Sequence, residues 1–137
     1  MANENTDSQD AGGTPEVILE FLFDKGLLSV ALRNIGRRAA IKVAVSFDHP
    51  FSGLGGSREI SSLPLFKNLA FLGPSREIVT LVDASASYFA RKQPTRITAR
   101  LSYLDAEGRT YAAAIEHDLE IYRDLSWVSS TTKHEVQ

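Results

Sequence analysis

Leu27 to Phe47, LLSVALRNIGRRAAIKVAVSF, decides the fold. Leu28, Val30 and Leu32 share one parity, and Ile41, Val43, Val45 and Phe47 share another, so each run buries one face of a sheet and wets the other. Between the runs lies Asn34-Ile35-Gly36-Arg37-Arg38. Asn34 and Gly36 both tolerate left-handed backbone, which makes this stretch a turn. The reading is strand, turn, strand, with Arg37 and Arg38 at an exposed end.

The same pattern extends outward in both directions. Upstream, Val17, Leu19, Phe21 and Phe23 alternate with Glu20 and Asp24, and Asp24-Lys25-Gly26 supplies a tight hairpin into Leu27. Downstream, the stretch from Asp48 to Ser57, DHPFSGLGGS, breaks any regular element with its proline and glycines and is the longest loop of the fold. Arg58 to Leu72, REISSLPLFKNLAFL, reads as a short edge segment and an irregular passage, because Pro64 forbids a central strand. Its Leu63, Leu65, Phe66, Leu69, Phe71 and Leu72 are too apolar for water and are expected across an open side of the core.

Gly73-Pro74 then turns the chain into a strand from Ile78 to Val82. A single helical turn through Tyr88 and Phe89 follows, with Asp83 or Ser85 as its cap. Arg96 to Tyr103 alternates cleanly, and Asp105-Ala106-Glu107-Gly108 forms a hairpin with Gly108 at positive φ. Alternation resumes at Tyr111, Ala113, Ile115, His117, Leu119 and Ile121, a run long enough that the last strand should bend or pass beyond the body.

These seven to eight short strands, with no helical period longer than a turn, describe an all-β fold, an immunoglobulin-like Greek-key β-sandwich. The expected boundaries are a disordered arm over 1–14, the sandwich over 15–128 and a frayed tail over 129–137. At 137 residues the chain is one domain by length.

Three segments carry a family resemblance: LSVALRNIGRRAAIKVAVSF, FLGPSREIVTLV and ARLSYLDAEGRTYAAAIEHDL. Together, over roughly residues 17 to 122, they resemble bacterial immunoglobulin-like domains of the cell-adhesion-related (CARDB-like) kind. Asn34, Gly36 and Ala39 or Ala40 fit that family's turn, as does the hairpin from Asp105 to Tyr111, while Leu72-Gly73-Pro74 has Gly and Pro in reversed order. The Leu63 to Leu72 passage also resembles uncharacterised bacterial proteins. The resemblance implies a fold and brings no activity, since a fold hosts many functions.

Composition narrows the function classes. Residues 1–15 hold three acids and no base, leaving 15 bases against 14 acids elsewhere, so the body lacks the basic field that nucleic acid requires. The absence of cysteine excludes disulfides and thiolate chemistry and fits a cytoplasmic setting. Neither a signal peptide nor a run of about 18 apolar residues occurs, so no membrane span is expected in this sequence.

No catalytic, metal or cofactor constellation is expected. His49, His117 and His134 lack ligand spacing, no nucleophile elbow occurs, and Gly53 to Arg58 lacks the Lys-Ser/Thr end and following helix of a phosphate loop. The expected function is therefore a non-enzymatic binding module that meets a protein partner, or itself, through a sheet face or an edge strand. Arg91, Lys92, Arg96 and Arg100 form the candidate partner-binding stripe, with Glu116, Asp118 or Glu120 on the neighbouring strand as the cross-strand partners that would neutralise it. Ala112 and Ala114, on the wetted side of the last strand, either leave room for another chain or are covered by the Leu63 to Leu72 passage, the second being favoured. The alternative function is small-ligand or carbohydrate binding through the 48–58 loop, using His49, Phe51 and Arg58.

Overall fold

The computed structural model describes residues 13–125. Most of the expected N-terminal arm and the whole 129–137 tail, with His134, lie outside the described residues. Nine strands run in the order β1 (Val17–Asp24), β2 (Leu27–Asn34), β3 (Ala40–Phe47), β4 (Ser52–Gly53), β5 (Arg58–Glu59), β6 (Leu69–Leu72), β7 (Glu77–Ala84), β8 (Arg96–Leu104) and β9 (Thr110–Asp118). Two short helices interrupt them, α1 (Pro64–Lys67) and α2 (Ser85–Ala90). Strands β1-β2-β7 form one antiparallel sheet and β6-β3-β8-β9 the other, while β4 and β5 pair as a small separate ribbon. The fold is an all-β sandwich.

The core fills the space between the two sheets. Leu19, Leu28, Val30, Leu32 and Val82 come from the first sheet, and Val43, Val45, Ile97, Leu101 and Tyr103 from the second. One end is closed by aromatic rings in edge contact, Phe21 to Phe51 at 5.7 Å, Phe51 to Phe47 at 5.1 Å and Phe47 to Phe66 at 5.1 Å. Such pairs add to area burial because ring edge and face carry opposite partial charge.

The turn after β2 works differently from its sequence reading. Asn34 and Gly36 have no positive φ. Asn34 is instead 1% exposed, and its amide donates to the carbonyls of Arg38 (2.8 Å) and Leu72 (3.0 Å) while its oxygen accepts from the N–H groups of Glu16 (3.1 Å) and Gly36 (2.9 Å). One side chain thus satisfies four backbone groups, its bond to the Leu72 carbonyl being buried. Gly36 is required by close approach: a Cβ there would fall 2.3 Å from the Thr14 carbonyl oxygen. The hairpin before β2 does use left-handed backbone, at Lys25 (φ 53°) and Gly26 (φ 80°).

Strand β3 departs from simple alternation. Ile41 pairs with Leu104 and Ala44 with Ser102, so Lys42 and Val43 together oppose Tyr103 alone; Lys42 takes φ 55°. This bulge sends Ala40 and Val43 into the core, both fully buried, and turns Ile41 outward. The uninterrupted Ile41, Val43, Val45 parity is corrected accordingly.

Three other expectations change. Pro64 opens α1 at its first position, where a missing N–H costs nothing, and β6 forms beyond it as an edge strand. From that passage Phe66 and Leu72 are buried as expected, but Phe71 is 60% exposed. Helix α2 begins without a side-chain cap bond, since Ala84 occupies the cap position. Strand β9 stops at Asp118, whose carboxylate accepts from the Glu120 N–H as the chain tightens into a 3-10 turn, Leu119–Tyr122, that buries Leu119.

Candidate interaction surfaces

The 48–58 loop folds down onto the end of β7. Asp83, 5% exposed, accepts from Arg91 Nη2 at 2.6 Å and from the Gly55 N–H at 3.2 Å. The same guanidinium donates to the Ser52 hydroxyl (2.9 Å) and carbonyl (3.1 Å), and Gln93 Oε1 accepts from the Ser52 N–H at 2.8 Å. Burial by itself would push the Asp83 carboxyl up, but the hydrogen bonds from Arg91, Gly55, Ala84 and Ser87 outweigh it and hold it below the usual carboxylate range. Arg91 is thereby committed inside the chain and withdrawn from the expected stripe. Lys92, by contrast, is exposed at φ 59° just after α2.

This packing also removes the centre of the alternative ligand loop. Phe51 is 1% exposed and belongs to the core, so it has no face to offer a sugar or a base. His49 is exposed and sits 3.1 Å from the Asp48 carboxylate, which also accepts from the Thr98 N–H at 2.9 Å. Arg58 is exposed on β5, opposite Gly53. The three residues do not converge on one cavity wall; the small depression here, about 190 Å³, is lined by Pro50, Phe51, Ser52, Glu59 and Gln93.

The outer face of the four-stranded sheet is assembled by register. Ser46, Arg100 and Ala114 lie on one rung, Ala44, Ser102 and Ala112 on the next, and Ile41, Leu104 and Thr110 beyond them, with Phe71 beside Ile41. Ala112 and Ala114 are exposed, so the Leu63 to Leu72 passage does not cover them. That passage packs on β3 instead, and α1 raises Phe66 and Lys67 into the wall of a depression of about 370 Å³ whose other lining includes Ala44, Ser46, Arg100 and Ser102. Neither Lys67 nor Arg100 makes an ion pair among the described residues, whereas Arg96 reaches Asp118 at 3.5 Å as a cross-strand pair. The face therefore grades from apolar (Phe71, Ile41, Leu104) through small residues to unpaired positive charge.

Lys67, Phe71 and Leu104 were not legible as part of such a face. Lys67 reaches it only because α1 packs on β3, and Ile41 joins it only through the bulge.

The opposite outer face, on β1-β2-β7, engages its one arginine within the chain. Arg33 donates to Glu20 at 2.8 Å and approaches Glu77 at 3.3 Å, the three lying over a fully buried Ala31. Exposed Leu22, Val79 and Leu81 occupy its other end.

His117 points inward. Its ring meets Phe21 edge-on at 5.1 Å, and burial lowers its pKa despite a hydrogen bond with the Leu19 backbone and the nearby Glu20 charge. Asp118, its neighbour in sequence, turns to Arg96 and the Glu120 N–H. Among the described residues no group of three His, Asp or Glu side chains is placed to hold a metal ion, and no helix is long and apolar enough to cross a membrane.

Fold and surface together define a β-sandwich with one internally ion-paired face and one open, graded face. The chain matches, over residues 1–123, the family described as "Domain of unknown function (DUF8453)", and it belongs to that family. No curated protein matches it.

Proposed function

We propose that this domain is a non-enzymatic, immunoglobulin-like binding module of the bacterial cytoplasm, and that it engages another protein through the outer face of the β6-β3-β8-β9 sheet. One observation carries the reading. Ala44, Ser46, Ser102, Ala112 and Ala114 leave a surface of small, mostly exposed side chains bordered by Phe71 at one end and by Lys67 and Arg100 at the other. A solvated sheet face usually carries long polar side chains; small ones let a second backbone approach. The immunoglobulin-like assignment is supported by the two-sheet order and by the turn motifs around Asn34 and Asp105. A cysteine-free composition accords with a reducing compartment.

The reading is tested by placing a photoreactive side chain at Ala112, or at Val79 on the opposite face, in the full chain within its own cells. Discrete cross-linked products from position 112, absent from 79 and lost with Ala114→Arg, support it. Products arising mainly from position 79 overturn it.

A further inference from the structure

We infer that the four-stranded face receives a short acidic polypeptide segment, with a carboxylate seated between Lys67 and Arg100 and an apolar side chain resting against Phe71. The inference rests on the binding face proposed above and names the chemistry of its partner. Arg33, Arg38, Arg91, Arg96, Arg109 and Arg123 each meet a carboxylate within the chain. Among the described residues Arg100 and Lys67 have no such partner, although both line the same depression of about 370 Å³, where the Ser46 and Ser102 hydroxyls supply further donors. Two cations at a concave site with no carboxylate of their own are complementary to an anion, and a guanidinium fits a carboxylate through two parallel bonds.

The rest of the face selects among anions. A polyphosphate track would continue past Arg100 along β8 and β9, but the next rungs present Glu116 and Asp118. The described body also carries only one net positive charge, 14 Lys and Arg against 13 Asp and Glu. Such a surface offers a uniform polyanion no extended positive track and accepts a segment that is acidic at one end only. At the other end Phe71, 60% exposed, stands beside Ile41, whose partner on the other side is Leu104. Leu104 lies four residues from Arg100 along β8, about 13 Å at the rise of an extended strand. An extended partner segment therefore needs its apolar anchor about four residues from its acid.

The experiment uses fluorescence anisotropy of the full chain with a labelled peptide of about ten residues, in which two leucines precede three glutamates by about four positions. Saturable binding is expected, weaker by about fivefold for the glutamine counterpart and by about tenfold for the Lys67→Glu, Arg100→Glu double variant. Phe71→Ser should also weaken it several-fold, and binding should decline between about 50 mM and about 500 mM salt. These side chains are exposed, so an unchanged thermal midpoint verifies folding. Equal affinity for the glutamine peptide, equal affinity for a single-stranded oligonucleotide, or no saturation by about 1 mM peptide would overturn the inference. If cross-linking at Ala112 persists in the charge-reversed double variant, the acidic chemistry falls while the binding face stands.

Discussion

Arg91 and Arg100 lie nine residues apart and carry the same charge, yet the fold gives them opposite tasks. Arg91 closes onto buried Asp83 and the Ser52 backbone, tying a glycine-rich loop to the sheet. Arg100 stands on an open face without an ionic partner among the described residues, opposite Ser46 on one side and Ala114 on the other. A desolvated charge must be matched internally, because an unmatched one is costly; a hydrated charge can wait for a partner from outside. Stability should therefore reside in the first region and recognition in the second.

The largest expected effect breaks the buried side of that contrast. Asp83→Ala should cost about 3 to 5 kcal/mol in urea unfolding, because it leaves Arg91 partly buried and unpaired. Replacing both residues, Asp83→Leu with Arg91→Met, should recover part of that loss; equal losses in the single and double variants would show that the loop, not the charge, is the sensitive element. At the opposite end of the sandwich, Asn34→Ala should cost about 3 kcal/mol by orphaning buried backbone groups such as the Leu72 carbonyl. A loss below about 1 kcal/mol would mean that water replaces the side chain.

Acid sharpens the comparison further. Asp105 is desolvated, yet hydrogen bonds from the Arg109 and Glu107 N–H groups, the Tyr111 hydroxyl and the Arg109 guanidinium hold its pKa at about 2, and Asp83 is depressed in the same direction. A depressed carboxylate stabilises the fold above its unfolded pKa of about 4, and that contribution is lost as pH falls through the folded value. Thermal midpoints should fall between about pH 4 and about pH 2, more shallowly in Asp105→Asn and with the wild-type slope in Arg100→Gln. His117 acts higher: its lowered pKa leaves it neutral in the fold, so stability should decline as pH drops below about 6.5, where the unfolded chain takes up the proton. His117→Phe should flatten that limb; an unchanged slope would assign it elsewhere.

The smallest effect completes the pair. Lys67→Gln and Arg100→Gln should shift stability by no more than about 0.5 kcal/mol, as exposed substitutions do, while weakening peptide binding several-fold. A large loss of stability in either would move it to the structural side of the contrast.

Much of the sandwich was legible because strand parity is a local property. Leu28, Val30 and Leu32 face the core, as do Ile97, Ala99, Leu101 and Tyr103, and the hairpins at Lys25-Gly26 and Gly108 use the expected positive φ. The candidate surface was legible only in pieces. Arg96 and Arg100 do share the outer face, and Ala112 and Ala114 do stand on it uncovered. Phe51, read as a ligand contact, is core, and Arg91, read as partner-facing, is a half-buried tie to buried Asp83. Both errors have one cause: a loop or helix end reveals its residue types in sequence but not which side of it is packed.

The sequence by itself determined the alternation that makes two sheets, the turns that separate the strands and the absence of thiol chemistry, since each depends on neighbours within a few residues. Tertiary structure alone decided the bulge that turns Ile41 outward, the approach of Lys67 to Arg100, and the pairing of Asp83 with Arg91. Those depend on contacts between segments far apart in the chain, where packing geometry sets which charges are desolvated and which remain free.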